Sequence, residues 1–366
     1  MTCAVTRLKS REVEASSVSD SLTLRRFSEI DLSSSFFDSL KEDYREFSDW
    51  FHRKESESAY VLQQGTQIQA FLYLKTEEGP VLDVVPPLET PLERAKIGTL
   101  KVDPHGTRLG ERCLKKAFDF AILHGAKEVY VTVFPKHETL INLFKEYGFV
   151  EHGHKIGGNG KELVLVKSLI ASRGDVLLDY PRIDARSAGK YLLAIYPEYH
   201  TRLFPDSKLA NEDFDAIHDL SHTNSIHKVY VCRMDVSCLC PGDILVLYRT
   251  SDRNAPAHYR SVVTSVCVVE ERRSRSDFGT VAAMIEYCQR YSVFSAKELA
   301  EWYRSPSMQT IKMTYNLAMR KRVTRQKLIN EVGLDPGIRW GFVQLSDKQF
   351  QKTIQVGDVD ESLIIY

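Results

Sequence analysis

Apolar and polar positions along the first half of the chain switch repeatedly between a strand period and a helix period. Leu22-Thr23-Leu24-Arg25 reads as a short strand, while Phe37, Leu40, Tyr44, Phe47 and Trp50 recur at helical spacing and predict one amphipathic helix over residues 36–51. The apolar runs 59–63 and 67–74 flank Gln64-Gly65-Thr66 and predict a hairpin. Pro86-Pro87-Leu88-Glu89-Thr90-Pro91 is an extended connection into a strand that ends at Val102. A helix over 111–118, a strand over 128–134, a helix running to Gly148-Phe149, and two strands around Gly157-Gly158-Asn159-Gly160 follow. Strand and helix alternate throughout, which predicts an α/β unit over residues 21–169.

Beyond Leu169 the pattern changes. Residues 170–180, with Ala171-Ser172-Arg173-Gly174-Asp175, read as a linker, and residues 181–366 as a second domain in which strands dominate. Apolar runs at 228–233, 242–250 and 261–270 are successive strands. Ser295 caps a helix over 295–302, strand character returns at 311–317, and Thr324 caps a helix through Leu328 and Ile329. The last strand is expected over 340–345. Residues 1–20 are expected to form a flexible tail.

Composition narrows the classes. At 366 residues the chain suits two domains, and 43% hydrophobic residues support two cores. No apolar run approaches the ~20 residues needed to cross a bilayer, so no membrane partner is expected. Met1-Thr2-Cys3-Ala4-Val5 leads into a charged, serine-rich stretch, from which a cytoplasmic location is expected. Seven scattered cysteines without a Cys-x-x-Cys pair fit free thiols better than a disulfide framework. With 49 basic and 49 acidic side chains the formal net charge is zero, which excludes a globally basic nucleic-acid binder and leaves local basic patches open.

The segment 100–149 carries the densest chemistry. A strand ends at Asp103-Pro104, and the turn His105-Gly106-Thr107-Arg108-Leu109-Gly110 opens into the helix at Glu111-Arg112. The first amides of a helix lack intrahelical partners and sit at the positive end of its dipole, so this junction is suited to a pyrophosphate. In these residues the chain resembles the GCN5-related N-acetyltransferase (GNAT) family, whose signature is Arg or Gln, two residues, Gly, one residue, Gly or Ala. Gly106 and Gly110 keep their places, whereas His105 stands at the leading position and Arg108 at the intervening glycine, in a loop shorter than usual.

The resemblance implies a mixed central sheet and acetyl-CoA as cofactor. Leu100, Lys101 and Val102 would be main-chain partners of its pantetheine arm, and the amides of His105, Gly106, Thr107, Arg108, Leu109, Gly110, Glu111 and Arg112 would hold its pyrophosphate. Arg108 and Arg112 would add charge-assisted bonds, with a solvated helix arginine as the other reading of Arg112. An acceptor ammonium must lose a proton before it attacks, and the leaving thiolate benefits from an acid. The family's tyrosine for that second task falls on Phe144 here, which leaves Tyr147, one turn on, as the candidate acid or else a core tyrosine. Asp103 is the candidate base, with Glu78 and a water relay as alternatives. His137 is expected to cap a helix.

The second half resembles the PUA-like β-barrels of the ASCH and EVE kind, on Gly242-Asp243 before a strand and on Val266-Cys267-Val268-Val269-Glu270. What that implies is recognition of RNA or of modified bases. Tyr248, Arg249, Tyr259 and Arg260 are candidate liners of the cleft, or else ordinary barrel residues. Lys321 and Arg322, in a basic run with Arg320, Arg325 and Lys327, are candidate phosphate contacts or else a solvated loop. His218, His222, His227, Cys232, Cys238 and Cys240 fit no compact zinc spacing, and no metal is expected.

The fold class expected is therefore α/β (α+β), a GNAT fold with a mixed central sheet followed by a PUA-like β-barrel with peripheral helices. The function expected is acetyl-CoA-dependent N-acetylation of an amine acceptor, RNA-linked and selected by the barrel. Two alternatives stand beside it: a catalytically degenerate acyl-CoA sensor that binds nucleic acid, and a protein or small-amine acetyltransferase whose barrel serves oligomerisation.

Overall fold

A computed structural model describes residues 22–90, 92–103, 108–204, 226–251 and 257–366. The expected tail over 1–20, together with His105, Gly106, Thr107, His218 and His222, lies outside the described residues.

Strand β1 (Thr23–Arg26) leads through two 3-10 turns to helices α1 (Asp38–Asp43) and α2 (Phe47–Arg53). The single helix expected over 36–51 is thus broken. Tyr44 leaves helical geometry at φ −129° and ψ 102°, because its ring turns onto Phe134 and its hydroxyl onto Glu162. The hairpin strands β2 (Ser58–Gln64) and β3 (Gln67–Glu77) follow, then β4 (Arg94–Val102), helix α3 (Leu109–Leu123), β5 (Glu128–Val133), helix α4 (Glu138–Glu146), β6 (Val150–Gly157) and β7 (Gly160–Ser168). They form a mixed seven-stranded sheet of order β1-β2-β3-β4-β5-β7-β6, antiparallel except for the parallel pair β4–β5.

Both faces of this sheet are covered, so β3 reads as a continuous apolar run. Ala70, Leu72 and Leu74 point to the core under α3, while Phe71 and Tyr73 point into an aromatic cluster with Phe27, Phe37, Phe47 and Phe51. Helix α3 turns Leu109, Cys113, Leu114, Ala117, Phe118 and Ala121 to the sheet. Its outer side is covered too. Ile122 packs against a core of the second half, and the Lys115 ammonium lies 5.3 Å from the Tyr315 ring centroid.

Helix α5 (Val176–Asp179) and β8 (Ile183–Asp184) lead into the second half. There β9 (Lys190–Ile195), α6 (Pro197–Leu203), β10 (His227–Cys232), β11 (Ile244–Arg249), α7 (Ala257–Arg260) and β12 (Val262–Ser274) are followed by α8 (Val281–Gln289), α9 (Ala296–Tyr303) and β13 (Gln309–Thr324). Helix α10 (Arg325–Asn330), β14 (Phe342–Gln344), α11 (Asp347–Val356) and β15 (Ile364–Ile365) complete the chain. Six strands make a sheet of order β10-β13-β12-β11-β9-β14, and β8 pairs with β15.

The pairing among the described residues runs from β10 to β14 and closes no barrel. Alternate residues of β11 enter two different cores, Ile244, Val246 and Tyr248 on one face and Leu245 and Leu247 on the other. A sheet buried on both faces by helices and loops needs no closure to hide its apolar rows. Strand β13 runs on to Thr324, so Arg320-Lys321-Arg322 lies on a strand and not in a loop.

Candidate active site

Strands β4 and β5 pair only from Arg94–Glu128 to Ile97–Val131, after which they diverge. The divergence starts at an irregularity in the sequence of contacts with β3. Leu74 pairs with Ile97 and Tyr73 with Thr99, which leaves Gly98 as the extra residue of a bulge. A Cβ at Gly98 would lie 2.7 Å from Tyr73 Cδ1, so the Tyr73 ring fills the space a side chain would need. Bulge and divergence open a cavity of about 550 Å³, lined by 98–102 on one strand and 131–133 on the other. Main-chain groups of Thr99 to Val102 thereby face a gap of the kind an extended pantetheine chain fills as a further strand.

Aromatic side chains wall this cavity. Tyr44, Phe47 and Trp50 come from the broken helix, Tyr73 from β3 and Phe134 from the end of β5. Two carboxylates on its wall are shielded: the Asp43 side chain is 7% exposed, and Glu162, the first inward-facing residue of β7, is 8% exposed. The Tyr44 hydroxyl donates to Glu162 Oε1 at 2.6 Å. Burial, and then that bond, push the Tyr44 phenol well above the usual tyrosine range. The β6–β7 turn is stapled over the same wall. Asn159 Nδ2 donates to Glu46 Oε1 and Oε2 at 2.7 and 2.8 Å, which holds the Glu46 carboxyl below its usual range.

At the mouth, His137 Nε2 lies 3.0 Å from Asp43 Oδ2, and the Lys136 ammonium pairs with the same carboxylate. His137 thus sits at the N-cap of α4 without a side-chain cap bond. The Lys101 ammonium, pulled below the lysine range by burial, bonds Ser39 of the same lining and lies over the Phe36 ring.

On the far side of β4, Arg108 occupies the N-cap of α3 at φ +53°, a left-handed conformation that favours glycine. The residue at the family's glycine position has kept the glycine's backbone. Its guanidinium pairs with Glu111 at 2.6 Å. Arg112 N–H donates to the Arg108 carbonyl at 3.2 Å, so the amides without an intrahelical partner end at Glu111, and the expectation that Arg112 offers its amide to a pyrophosphate is corrected. The Arg112 side chain is 6% exposed and is not a solvated arginine. A Cβ at Gly110 would lie 2.8 Å from Leu143 Cδ2 alone, so a larger residue here need displace only that terminal methyl.

The two expected catalytic residues do not reach the cavity lining. Tyr147 has no exposed surface, and its hydroxyl meets His227 Nε2 at 2.9 Å, because the end of α4 docks against the second half of the chain. Asp103 follows β4 and donates its N–H to the Gln69 carbonyl at 2.8 Å, outside the lining. Glu78 lies in an exposed turn, and Phe144 is a core residue 4.9 Å from Phe149.

In the second half, Tyr248 is 2% exposed and packs on Trp340, so it is a core residue and not a cleft liner. Arg322 Nη1 donates to the Thr264 carbonyl at 3.0 Å. Arg249 and Arg322 both act on His200, which is buried with its Nε2 2.8 Å from Thr264 Oγ1 and is held down to about 3 by burial and then by those two cations. Tyr259 and Arg260 are exposed on α7, and Lys321 pairs with Asp358 at 3.2 Å. Of the six expected nucleic-acid contacts, Tyr259, Arg260 and Lys321 are exposed, Arg249 and Arg322 are half-buried, and Tyr248 is buried. Among the described residues no three His, Cys, Asp or Glu side chains are grouped as metal ligands would be.

Residues 24–149 match the model of the acetyltransferase (GNAT) family. Similar solved structures include the ASCH protein from Zymomonas mobilis, at 12% identity over 47% of this chain and 96% of that one, with a TM-score of 0.32. Chaetomium thermophilum Naa20 in complex with a bisubstrate analogue is 18% identical over 40% of this chain and 86% of its own, with a TM-score of 0.30. Arabidopsis thaliana Naa50 in complex with the bisubstrate analogue CoA-Ac-MVNAL is 16% identical over 40% and 99%, with a TM-score of 0.27. No curated protein matches the chain. Residues 24–149 thus match an acetyltransferase domain.

Proposed function

We propose that this domain transfers the acetyl group to an amine bound in the aromatic cavity, with Glu162 as the general base and Tyr44 as the group that holds it. The observation that carries the reading is a buried carboxylate on the wall of the opening between β4 and β5. The residues fit the donor: the diverging strands leave room for an extended arm, and the amides of Leu109, Gly110 and Glu111 sit at a helix start for its pyrophosphate. Bound acetyl-CoA would supply the thioester carbonyl carbon for the new C–N bond, with the C–S bond broken and CoA released as its thiol. An acceptor ammonium, with a pKa near ~10.4 in free lysine, must give up its proton at neutral pH. Glu162 accepts it, and the hydrogen bond from Tyr44 keeps the carboxylate oriented towards the cavity. Phe47, Trp50 and Tyr73 exclude water from the same space, so the acceptor nitrogen is the nucleophile presented.

Residues 21–169 are read as the catalytic domain, 170–180 as a linker and 181–366 as a PUA-like module of the ASCH or EVE kind that selects an RNA-linked acceptor in the cytoplasm. The Gly242-Asp243 turn supports this second reading. Asp243 accepts from Gly189 N–H and Cys240 N–H, both at 2.8 Å, and so ties the starts of β9 and β11 together. Arg260 and Lys321 are exposed, and Lys321 would exchange its Asp358 partner for a phosphate. Thiol release from acetyl-CoA, measured with free amines, peptides and tRNA as acceptors, tests both readings. Turnover lost in Glu162→Gln with donor affinity retained supports the base. RNA binding that falls steeply with salt supports the module, and RNA-independent turnover on simple amines with no RNA affinity overturns it.

A further inference from the structure

The start of α3 is gripped from outside its own domain. The Arg108 guanidinium lies 3.9 Å from the ring centroid of Tyr291, which belongs to the turn after α8, more than 180 residues further along the chain. Tyr291 is itself anchored. Its carbonyl accepts from Val229 N–H at 3.0 Å and its N–H donates to the Cys288 carbonyl at 3.0 Å. Its ring sits 5.0 Å from that of His227 and 5.3 Å from the Lys312 ammonium. Those two groups are in turn joined through Glu270, at 2.5 Å from His227 Nδ1 and 2.8 Å from Lys312 Nζ. The face of Tyr291 is therefore fixed by β10, β12 and β13, and Arg108 is laid flat against it.

This contact bears on a strained residue. A non-glycine side chain in the left-handed region holds that conformation only where its surroundings over-determine it. Glu111 and Tyr291 do so here, one from each half of the chain. Glu111 would repel an anion at the helix start, and its ion pair with Arg108 offsets that charge.

We propose that Tyr291 is a positioning residue for the donor site: it holds Arg108 and the left-handed peptide at the start of α3 in the arrangement that receives the pyrophosphate of acetyl-CoA. The inference rests on the donor site proposed above. The second half of the chain thereby contributes to donor affinity directly, apart from any choice of acceptor.

The test uses the full chain and compares acetyl-CoA with acetyl-pantetheine, which carries the same thioester and arm without the pyrophosphate. Tyr291→Ala is expected to raise the KM for acetyl-CoA roughly five- to thirty-fold, the range a desolvated cation–π contact carries. It is expected to leave kcat at saturating donor, and the KM for acetyl-pantetheine, within about twofold of the parent. Tyr291→Phe keeps the ring face and restores the parent KM. Arg108→Gly suits the backbone and removes the cation, so it loses donor affinity to the same extent, and adding Tyr291→Ala to it changes nothing further. Equal losses for both donors, or additive effects of the two substitutions, overturn the inference while leaving the donor site standing. Absence of acetyl-CoA binding by the intact protein overturns the donor site itself.

Discussion

Replacing Glu162 by Gln removes a proton acceptor while preserving its shape. The side chain is 8% exposed and accepts one bond, from Tyr44 at 2.6 Å. A glutamine oxygen can still accept that bond, so the fold and the cavity wall are retained. A positioned general base contributes about 10²–10⁴-fold to rate. At ~1.36 kcal/mol per decade, this corresponds to about 2.7–5.4 kcal/mol of barrier. Tyr44→Phe keeps the ring, whose centroid is 5.1 Å from that of Phe134, and deletes only the donor. A hydrogen bond to a charged partner is worth about 1.5–3 kcal/mol, which sets a loss of roughly 10- to 100-fold in kcat/KM. Because the two side chains act as one unit, the double variant should be no slower than Glu162→Gln alone within about threefold. Steady-state thiol release at saturating acetyl-CoA, with calorimetric titration of the donor as a control, reads both effects. A Glu162→Gln enzyme within threefold of the parent kcat would refute the assignment of the base.

Three further outcomes follow from the structure. Gly98→Ala drives a methyl group against the Tyr73 ring, itself held 5.3 Å from Phe27 and 5.7 Å from Trp50, so it should cost about 1–3 kcal/mol in urea unfolding and raise the acceptor KM; an unchanged midpoint contradicts the packing. Tyr147→Phe leaves His227 Nε2 without its hydroxyl neighbour, so it should destabilise the fold by about 1–3 kcal/mol while kcat stays within twofold; a hundredfold loss of kcat at full stability would reinstate Tyr147 as the acid. Burial pulls the Lys167 ammonium down to about 7, so above pH 7 the unfolded chain binds a proton that the fold has shed and stability rises with pH. The rise is about 2 kcal/mol between pH 7 and 9, and Lys167→Met should abolish it; parallel stability curves for the two proteins contradict the assignment.

Much of the first half could be read from local pattern. The hairpin around Gly65, the glycine-bounded turn into α3 and the β5–α4 succession each rest on residues close in sequence, where turn chemistry and periodicity act directly. The site itself was harder to read. Glu162 is an acid at the head of an apolar strand, and its partner Tyr44 lies 118 residues earlier, so only the break in the 36–51 helix brings them together. That inward-facing acid beside a glycine turn was the one local signal. Arg108 looked like a lost glycine and proved to keep the glycine's backbone, because Tyr291 and Glu111 hold it there. Tyr147 is withdrawn from the cavity because its hydroxyl meets His227 of the second half, and Arg112 offers no free amide because its N–H closes the first turn of α3 on the Arg108 carbonyl. Closure of the second sheet is not legible in the sequence, because strands buried on both faces lose the alternation that marks which side is inner; among the described residues the six strands close no barrel.

The most direct test of the donor site is isothermal titration of the full chain with acetyl-CoA beside a Gly110→Asp variant. An aspartate in the first turn of α3 suits the helix dipole, and its Cβ meets only the flexible tip of Leu143, so the fold should be retained while a negative charge is set at the start of α3, the site proposed for the pyrophosphate. Saturable binding by the parent that is lost in the variant is the result expected. Absence of saturable binding by the parent, or equal affinity in the variant, would contradict the account.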